Sequence, residues 1–283
     1  MVICTTKQAV DAYCKRERLR NASIGFVPTM GALHQGHLSL IKESKKKTRL
    51  TVCSIFINPT QFNNTSDFEK YPVTLEADIE QLKSAGTDIL FLPTTQEIYP
   101  QGTMALEKYS LGKLETLLEG HYRPEHFQGV CQVVHRLLNA VHPNILFLGQ
   151  KDYQQCLVIQ KLITLIRKNI EVCIVPTIRE ANGLAMSSRN MRLSSKALQQ
   201  ASAIYKAMVY MQENIQQQSL VDVEQKAKEI LFKNGFTTID YIAIVEANTL
   251  IPITQIHKGQ KIAIMVAAFI EDVRLIDNIL LDV

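Results

Sequence analysis

The chain has 283 residues, of which 46% are hydrophobic and 20% are charged, a composition typical of a soluble globular protein with one or two domains. The formal net charge is only +4 and the longest basic run is three lysines at 45–47, so charge does not favour a nucleic-acid partner. No apolar stretch approaches the ~20 residues that span a bilayer, and the N-terminus lacks a signal-peptide core. The six cysteines form no Cys-x-x-Cys pair. We therefore expect a cytoplasmic protein with neither nucleic-acid nor membrane partners.

Short apolar runs alternate with helical patterns through the first 177 residues. The runs predict strands over 24–28, 51–57, 88–92, 144–148 and 171–176, and the helical patterns cover 7–20, 37–48, 74–85, 126–142 and 153–168. Continuous apolar strands that alternate with helices predict a doubly wound, Rossmann-like parallel sheet covered on both faces. Such sheets bind their ligands at the C-terminal ends of the strands.

The pattern changes after Pro176, where a polar segment with Gly and Ser covers 177–193. Helices are predicted over 194–217 and 220–234, followed by strands over 238–246, 260–268 and 271–278. Strands without long helices between them predict a smaller α+β unit. We therefore predict a Rossmann-like domain over 1–177 and a smaller α+β C-terminal domain over 178–283.

The most informative segment is PTMGALHQGH, which begins at Pro28 and ends at His37. It follows an apolar strand and leads into a helix, an arrangement that presents backbone N–H groups to an anion. His34 and His37 face the same side of the helix start and would offer a phosphate two donors that become cationic near neutral pH. A zinc site and a purely structural pair are the alternatives. No third metal ligand stands nearby, and the strand–loop–helix context favours a nucleotide-phosphate site.

A second segment, NPTQF, places Gln61 just past the strand predicted over 51–57. The side-chain amide there both donates and accepts hydrogen bonds, which suits a ligand with hydroxyl and carboxylate groups. A turn-capping glutamine is the alternative.

A third segment, GQKDYQQ, runs from Gly149 to Gln155 at the end of another apolar strand. Gly149 permits close backbone approach to a ligand, and Lys151 is a point charge suited to phosphate. Asp152 either caps the following helix or contacts a ligand. Gln155 lies on the same face of that helix.

A fourth segment, MSSRN, contains Ser187, Ser188 and Arg189. Two hydroxyls and a guanidinium fork suit the oxygens of a polyphosphate. A surface linker between domains is the alternative.

PTMGALHQGH, NPTQF, GQKDYQQ and MSSRN occur in this order and spacing in the pantoate–β-alanine ligase family, which the chain resembles over essentially its whole length. EIYP at 97–100, the stretch over 117–130 and RLIDN at 274–278 are also similar. His-x-Gly-His alone is shared by many nucleotidyltransferases and class I aminoacyl-tRNA synthetases. Four motifs in order are much more specific.

The resemblance implies an ATP-dependent ligase that joins pantoate to β-alanine. Pantoyl adenylate is the intermediate, and pantothenate, AMP and pyrophosphate are the products; Mg²⁺ accompanies ATP, no covalent enzyme intermediate forms, and the enzyme is a homodimer. The implied ATP contacts are Pro28, Met30, Gly31, His34, His37, Gly149, Lys151, Asp152, Ile178, Met186, Ser187, Ser188 and Arg189. The implied catalytic residues are His34, His37, Lys151, Ser187, Ser188 and Arg189, with His37 at the position of a proton donor.

The resemblance also implies that Gln61 and Gln155 bind pantoate and that Gln61 helps to admit β-alanine. The loop over 183–190 and the small domain would close over the triphosphate as a lid. Gln150 stands where the family usually has Glu, and we expect the backbone there to make the ligand contact. The Mg²⁺ ligands are not fixed by the sequence; Asp78 is a weak candidate, and a solvated helix residue is the favoured alternative for it.

Three rival interpretations remain. A nucleotidyltransferase would stop after nucleotidyl transfer, but Gln61 and Gln155 fit a hydroxy acid. A non-enzymatic nucleotide-binding regulator would not need His37, Lys151 and Arg189 to be intact. A fragment of an aminoacyl-tRNA synthetase is disfavoured because the charge is modest and no RNA-binding extension is present.

Overall fold

The computed structural model describes residues 1–63, 65–104 and 106–283. Its strands are β1 Val2–Cys4, β2 Ile24–Thr29, β3 Leu50–Ile55, β4 Ile89–Phe91, β5 Ile145–Gly149, β6 Glu171–Val175, β7 Phe236–Glu246, β8 Lys261–Ile270 and β9 Val273–Asp282. Its helices are α1 Lys7–Arg18, α2 Gln35–Lys47, α3 Thr65–Glu69, α4 Leu75–Ser84, α5 Thr95–Ile98, α6 Glu119–Tyr122, α7 His126–Val141, α8 Tyr153–Leu165, α9 Ser195–Gln200, α10 Ala203–Asn214 and α11 Leu220–Lys233. Among these described residues, no helix is both long and apolar enough to cross a membrane.

The strands of the first half form one parallel sheet in the order β1-β4-β3-β2-β5-β6. From β2 the chain adds β3 and β4 on one side, and then crosses over to add β5 and β6 on the other. The C-terminal ends of the adjacent strands β2 and β5 therefore form the switch point, and a doubly wound sheet binds its ligands in the crevice there. The predicted Rossmann-like architecture is confirmed.

Successive residues of the central strands point into two different cores, as the two-residue strand period requires. On β2, Phe26 packs into a cluster that includes residues of α7, whereas Val27 packs into a cluster that includes residues of α2 and α4. Leu146 and Phe147 on β5 divide in the same way. Both faces of the sheet are thus covered by helices, which explains why these strands have continuous apolar sequences.

The last three strands form an antiparallel sheet in the order β7-β8-β9. One face packs against α10 and α11 through a cluster that includes Met208, Leu231 and Ile264. The opposite face carries Tyr241 and Met265, which pack with residues of α8 and of the segment over 114–118. The small sheet therefore lies directly against the first half of the chain, beside the ends of β5 and β6.

The structure differs from the sequence prediction mainly in short elements. The helix predicted over 194–217 is two helices, α9 and α10. The hydroxyl of Ser202 donates to the carbonyl of Gln199 at 2.9 Å at the break, and such back-bonding competes with continuation of a helix. The strand β1 and the short helices α3, α5 and α6 were not predicted.

Candidate active site

A cleft of about 210 Å³ lies at the C-terminal ends of β2 and β5, between α7 and the segment over 176–189. It brings together nearly all of the residues that the sequence singled out. Those that line it are Pro28, Met30, His34, His37, Gln61, Gly149, Lys151, Asp152, Gln155, Ile178, Met186, Ser187, Ser188 and Arg189. Gly31 does not line it, and lies behind the loop near Asp78.

His34 and His37 form a reciprocal cap at the start of α2. The Nδ1 of His34 accepts the backbone N–H of Gly36 at 3.1 Å, and the Nδ1 of His37 accepts the backbone N–H of His34 at 3.3 Å. The rings lie 4.1 Å apart. A Cβ on Gly36 would lie only 2.8 Å from the Cε1 of His34, so this cap requires glycine there. Because both Nδ1 atoms accept, each ring carries its proton on Nε2.

In the protein without ligand, this pair is not cationic near neutral pH. Burial, with the nearby Lys151 charge, lowers the pKa of His34 to about 4. Burial, together with the neighbouring His34 and Lys151, lowers the pKa of His37 to about 3. Near pH 7 the pair therefore offers neutral N–H donors, and the positive charge on this side of the cleft belongs to Lys151.

Asp78 holds the loop that precedes the histidine pair. Its carboxylate accepts the backbone N–H of Ala32 at 2.9 Å and of Leu33 at 2.8 Å, and the hydroxyl of Thr74 at 3.0 Å. The residue is 1% exposed and does not line the cleft, so the structure gives no support to its weak metal candidacy. The alternative of a solvated helix residue is wrong as well.

Gln61 is oriented by a buried amide. The Nδ2 of Asn58 donates to the Oε1 of Gln61 at 3.1 Å and to the carbonyl of Gly129 at 3.1 Å, while its Oδ1 accepts the hydroxyl of Tyr99 at 2.8 Å. The Nε2 of Gln61 faces the sulfur of Met30 at 3.0 Å. The Gln61 side-chain amide is thus held in one orientation at the cleft, with Oε1 towards Asn58 and Nε2 towards Met30.

Helix α7 forms the apolar wall opposite the histidine pair. Val130, Val133, Val134 and Leu137 line the cleft, and their spacing puts them on one helical face. At the start of the helix, the Nδ1 of His126 lies 2.7 Å from the Gln61 carbonyl, to which it donates. The wall and the amide are therefore parts of one rigid unit.

The segment after β5 contacts both the cleft and the antiparallel sheet. Lys151 and Asp152 line the cleft, with 3.6 Å between the Lys151 Nζ and an Asp152 oxygen. The Gln150 side chain points instead towards Asn278, whose Oδ1 it approaches at 3.2 Å. Asn278 also donates to the carbonyls of Gln150 and Lys151, each at 2.9 Å. The Gln150 side chain therefore contacts β9 through Asn278 and does not line the cleft.

The segment over 187–189 closes one side of the cleft. The hydroxyl of Ser188 donates to the carbonyl of Ala32 at 2.9 Å, and the hydroxyl of Ser187 accepts the backbone N–H of Arg189 at 3.3 Å. The Arg189 guanidinium binds Asp67 on α3 through Nη2 at 2.8 Å and Nε at 3.3 Å. In this state Arg189 donates to a carboxylate rather than to the cleft.

Several residues of the site were missed from the sequence. Asn58, Asp67 and Tyr71 were not singled out, although Asn58 and Tyr71 line the cleft. The apolar stripe of α7 was detectable from its helical spacing. The partners of Asn58 and Arg189 were not detectable, because they come from distant parts of the chain.

The comparisons with known proteins agree with this geometry. A histidine pair at the switch point of a doubly wound sheet is the arrangement of the His-x-Gly-His nucleotidyltransferases, and the chain is a member of that superfamily. Residues 2–280 match the family model described as pantoate-beta-alanine ligase. The chain belongs to this family and is therefore an enzyme.

Curated relatives match the chain from end to end. A pantothenate synthetase of Cytophaga hutchinsonii is 44% identical over 283 residues, with 99% of each chain covered. One of Azobacteroides pseudotrichonymphae is 41% identical over 280 residues, again with 99% of each covered.

Solved structures share the whole fold. The pantothenate synthetase of Thermus thermophilus superposes with a TM-score of 0.90 at 40% identity, covering 99% of both chains. The pantoate-beta-alanine ligase of Francisella tularensis, in a complex with beta-gamma ATP and beta-alanine, superposes with a TM-score of 0.81 at 36% identity, covering 99% of this chain and 97% of its own.

Proposed function

We propose that this enzyme condenses pantoate with β-alanine at the expense of ATP, giving pantothenate, AMP and pyrophosphate through a pantoyl-adenylate intermediate. The observation that carries the proposal is that the histidine pair, Lys151 and the two glutamines Gln61 and Gln155 surround one cleft, in a chain that matches the ligase family over residues 2–280. A phosphate-binding side and an acid-binding side face each other there.

ATP would occupy the side of the cleft formed by the ends of β2 and β5. His34 and His37 would donate from Nε2 to phosphate oxygens, and Lys151 would supply the positive charge that the neutral imidazoles lack. An approaching triphosphate would itself raise the pKa of both histidines, since a nearby negative charge favours the imidazolium. His37 can therefore act first as a donor and acquire its full charge only with the nucleotide in place.

Pantoate would occupy the side formed by α7. Its paired methyl groups would pack on Val130, Val133 and Val134, and its hydroxyls and carboxylate would meet the amides of Gln61 and Gln155. The cap that Asn58 provides keeps Gln61 from rotating. Such preorganisation matters because the reaction depends on placing the carboxylate in line with the α-phosphorus.

The chemistry consists of two displacements. A carboxylate oxygen of pantoate attacks the α-phosphorus of ATP, and the bond to pyrophosphate breaks. The neutral amine of β-alanine then attacks the acyl carbon, the bond to the AMP oxygen breaks, and the nitrogen loses a proton to solvent. The protein positions the groups and stabilises developing charge, and needs no covalent intermediate of its own.

Mg²⁺ would enter as part of the substrate, bound to the phosphates of ATP with its remaining positions filled largely by water. Within 1–63, 65–104 and 106–283, no cluster of three or more His, Cys, Asp or Glu is arranged to hold a metal ion. The role of the ion in this scheme is to neutralise phosphate charge during the first displacement.

The division into a domain over 1–177 and a lid domain over 178–283 is part of the proposal. The separate sheets and hydrophobic clusters of the two halves support it. Closure of the 183–190 loop over the triphosphate would require Arg189 to exchange Asp67 for phosphate. A homodimer and a cytoplasmic location stay predictions; sedimentation velocity would test the first.

The test is an ATP assay in which pantoate and β-alanine are omitted in turn. We expect sustained AMP release only when both are present, and pantoate-dependent exchange of pyrophosphate into ATP without β-alanine. Lys151→Met should abolish both activities, whereas Lys161→Met, which removes an exposed lysine from the neighbouring helix α8, should retain them. Sustained pyrophosphate release with an adenylated product and no free AMP, whether or not β-alanine is present, would favour the rival nucleotidyltransferase.

A further inference from the structure

A second chamber opens beside the cleft, between the end of the parallel sheet and the antiparallel sheet. Lys151, Asp152, Ser187 and Arg189 line both spaces, which therefore adjoin at these residues. The chamber has a volume of about 500 Å³, which is in the range of small-molecule sites. A ligand in it would be able to reach the cleft from the side away from α2.

Most cations of the chamber are paired closely with carboxylates. The pairs, each with a nitrogen–oxygen distance of 3.1 Å or less, are Arg189 and Arg192 with Asp67, Lys70 with Asp272, and Arg274 with Glu119. The ion pair between Lys151 and Asp152 is longer, at 3.6 Å. In the proposed function, however, Lys151 binds the phosphates of ATP and is not free for another ligand.

Arg123 differs from the closely paired cations of the chamber because it has no close carboxylate partner among the described residues. Its one ion pair within the described part of the chain is to Glu119, at 3.6 Å. That carboxylate already accepts Arg274 at 2.6 and 2.9 Å and the hydroxyl of Tyr241 at 2.8 Å. The Arg123 side chain is 21% exposed, and among the described residues it donates no hydrogen bond. Its guanidinium fork is therefore available to an incoming anion.

The local fold places Arg123 in a cavity that it shares with Gln155, a residue of the cleft. Its backbone is fixed by hydrogen bonds to Glu119 and His126, and His126 in turn donates to the Gln61 carbonyl. Arg123 lines a small cavity together with Lys151 and Gln155. A short ligand held by Arg123 would thus have its other end near Lys151 and Gln155.

The surroundings favour a negative partner for Arg123. Burial lowers the pKa of Arg123; Glu119 and Asp67 oppose this shift, while Arg189 and Arg274 add to it. A partly desolvated cation with too little compensating charge gains from an anion that approaches it.

We propose that Arg123 binds the carboxylate of β-alanine and holds this substrate in the chamber while its amine faces the acyl carbon in the cleft. The proposal rests on the proposed function. β-Alanine carries its carboxylate two methylene groups from its nitrogen, and the planar fork of arginine matches a carboxylate in two parallel hydrogen bonds. In the bond-forming step the free amine attacks, AMP leaves with the electron pair, and a proton passes from nitrogen to water.

The test compares β-alanine with its neutral amide, β-alaninamide, as acceptors. Loss of a charge-assisted contact should lower kcat/KM of Arg123→Met for β-alanine by about 10- to 100-fold. The preference of the unsubstituted enzyme for β-alanine over the amide should largely disappear. Pantoate-dependent pyrophosphate exchange, which needs no amine, should stay close to its original rate. Arg123→Lys should restore part of the preference, because it keeps the charge without the fork.

Lys70→Met is the matched control, since it removes a cation from the same chamber and should leave the preference intact. An unchanged preference in Arg123→Met would overturn the proposal. An equal loss of pyrophosphate exchange in both Arg123 variants would also overturn it, by assigning Arg123 to the nucleotide or to folding. Absence of exchange in the unsubstituted enzyme would instead reject the proposed function itself.

Discussion

Helix α7 approaches the turn that carries Gln61 so closely that residue 129 has no room for a side chain. A Cβ on Gly129 would lie 2.2 Å from the carbonyl oxygen of Thr60 and 2.8 Å from the Cα of Gln61. Both are backbone atoms, so neither is able to rotate away, and the helix or the turn must move. Gly129→Ala therefore tests whether this contact positions the Gln61 amide.

The size of the effect follows from these distances. Restoring a contact of 3.0 Å, the lower limit for a Cβ, requires a shift of about 0.8 Å. A misplacement of roughly 1 Å at a catalytic site costs about 10²-fold in rate, and overpacking costs about 1–3 kcal/mol of stability. We expect kcat/KM for pantoate to fall by about 10²-fold. We expect the free energy of unfolding to fall by about 1–3 kcal/mol.

The measurements are pantoate kinetics in the exchange assay, ATP binding by calorimetry, and urea unfolding. ATP binding should change little, because the histidine pair and Lys151 lie on the other side of the cleft. Asn139→Ala, an exposed position on the same helix, is the control. Normal pantoate kinetics in a destabilised Gly129→Ala variant would refute the argument that this contact positions Gln61.

Three further results are expected. Lys151→Ala and His37→Ala should each slow pantoate-dependent pyrophosphate exchange by at least ~10²-fold, about 2.7 kcal/mol of transition-state stabilisation; near-normal exchange would remove that residue from the site. Gln61→Ala should weaken pantoate binding more than ATP binding in calorimetry, and the opposite order would reject its role. Acid should destabilise the fold through His126, because burial lowers its pKa to about 3 from 6.5. Below pH 6.5 the unfolded chain binds a proton at this histidine, whereas the folded chain does not. The free energy of unfolding therefore declines as the pH falls from 6.5 towards the pKa of the folded state, by at most ~1.4 kcal/mol per pH unit. Urea unfolding at pH 7.5 and 5.5 should show that the free energy of unfolding depends less on pH in His126→Gln than in the unsubstituted protein. The same pH dependence in both proteins would contradict this cause.

The architecture was predictable because its central strands are buried on both faces. Phe26 and Val27 point into opposite cores, and both are fully buried, so the strand appears in the sequence as an unbroken apolar run. The edge strand β1 gave no such signal: it has three residues, and Val2 and Ile3 are 42% and 46% exposed.

The members of the site were predictable, but their physical state was not. Sequence spacing placed His34 and His37 on one face of a helix start, yet gave no measure of the burial that keeps them neutral. Asp78 contacts a loop more than forty residues earlier in the chain. Asn58 likewise depends on Gly129, which is 71 positions away. Partners of this kind come from the tertiary fold, and single-sequence patterns do not contain them.

The most direct test of the central claim follows a labelled oxygen. The enzyme would be given pantoate labelled with ¹⁸O in its carboxylate, together with ATP and β-alanine, and the products would be analysed by mass spectrometry. If the carboxylate attacks the α-phosphorus, one labelled oxygen appears in AMP and none in pyrophosphate. Unlabelled AMP formed alongside pantothenate would contradict the pantoyl-adenylate route.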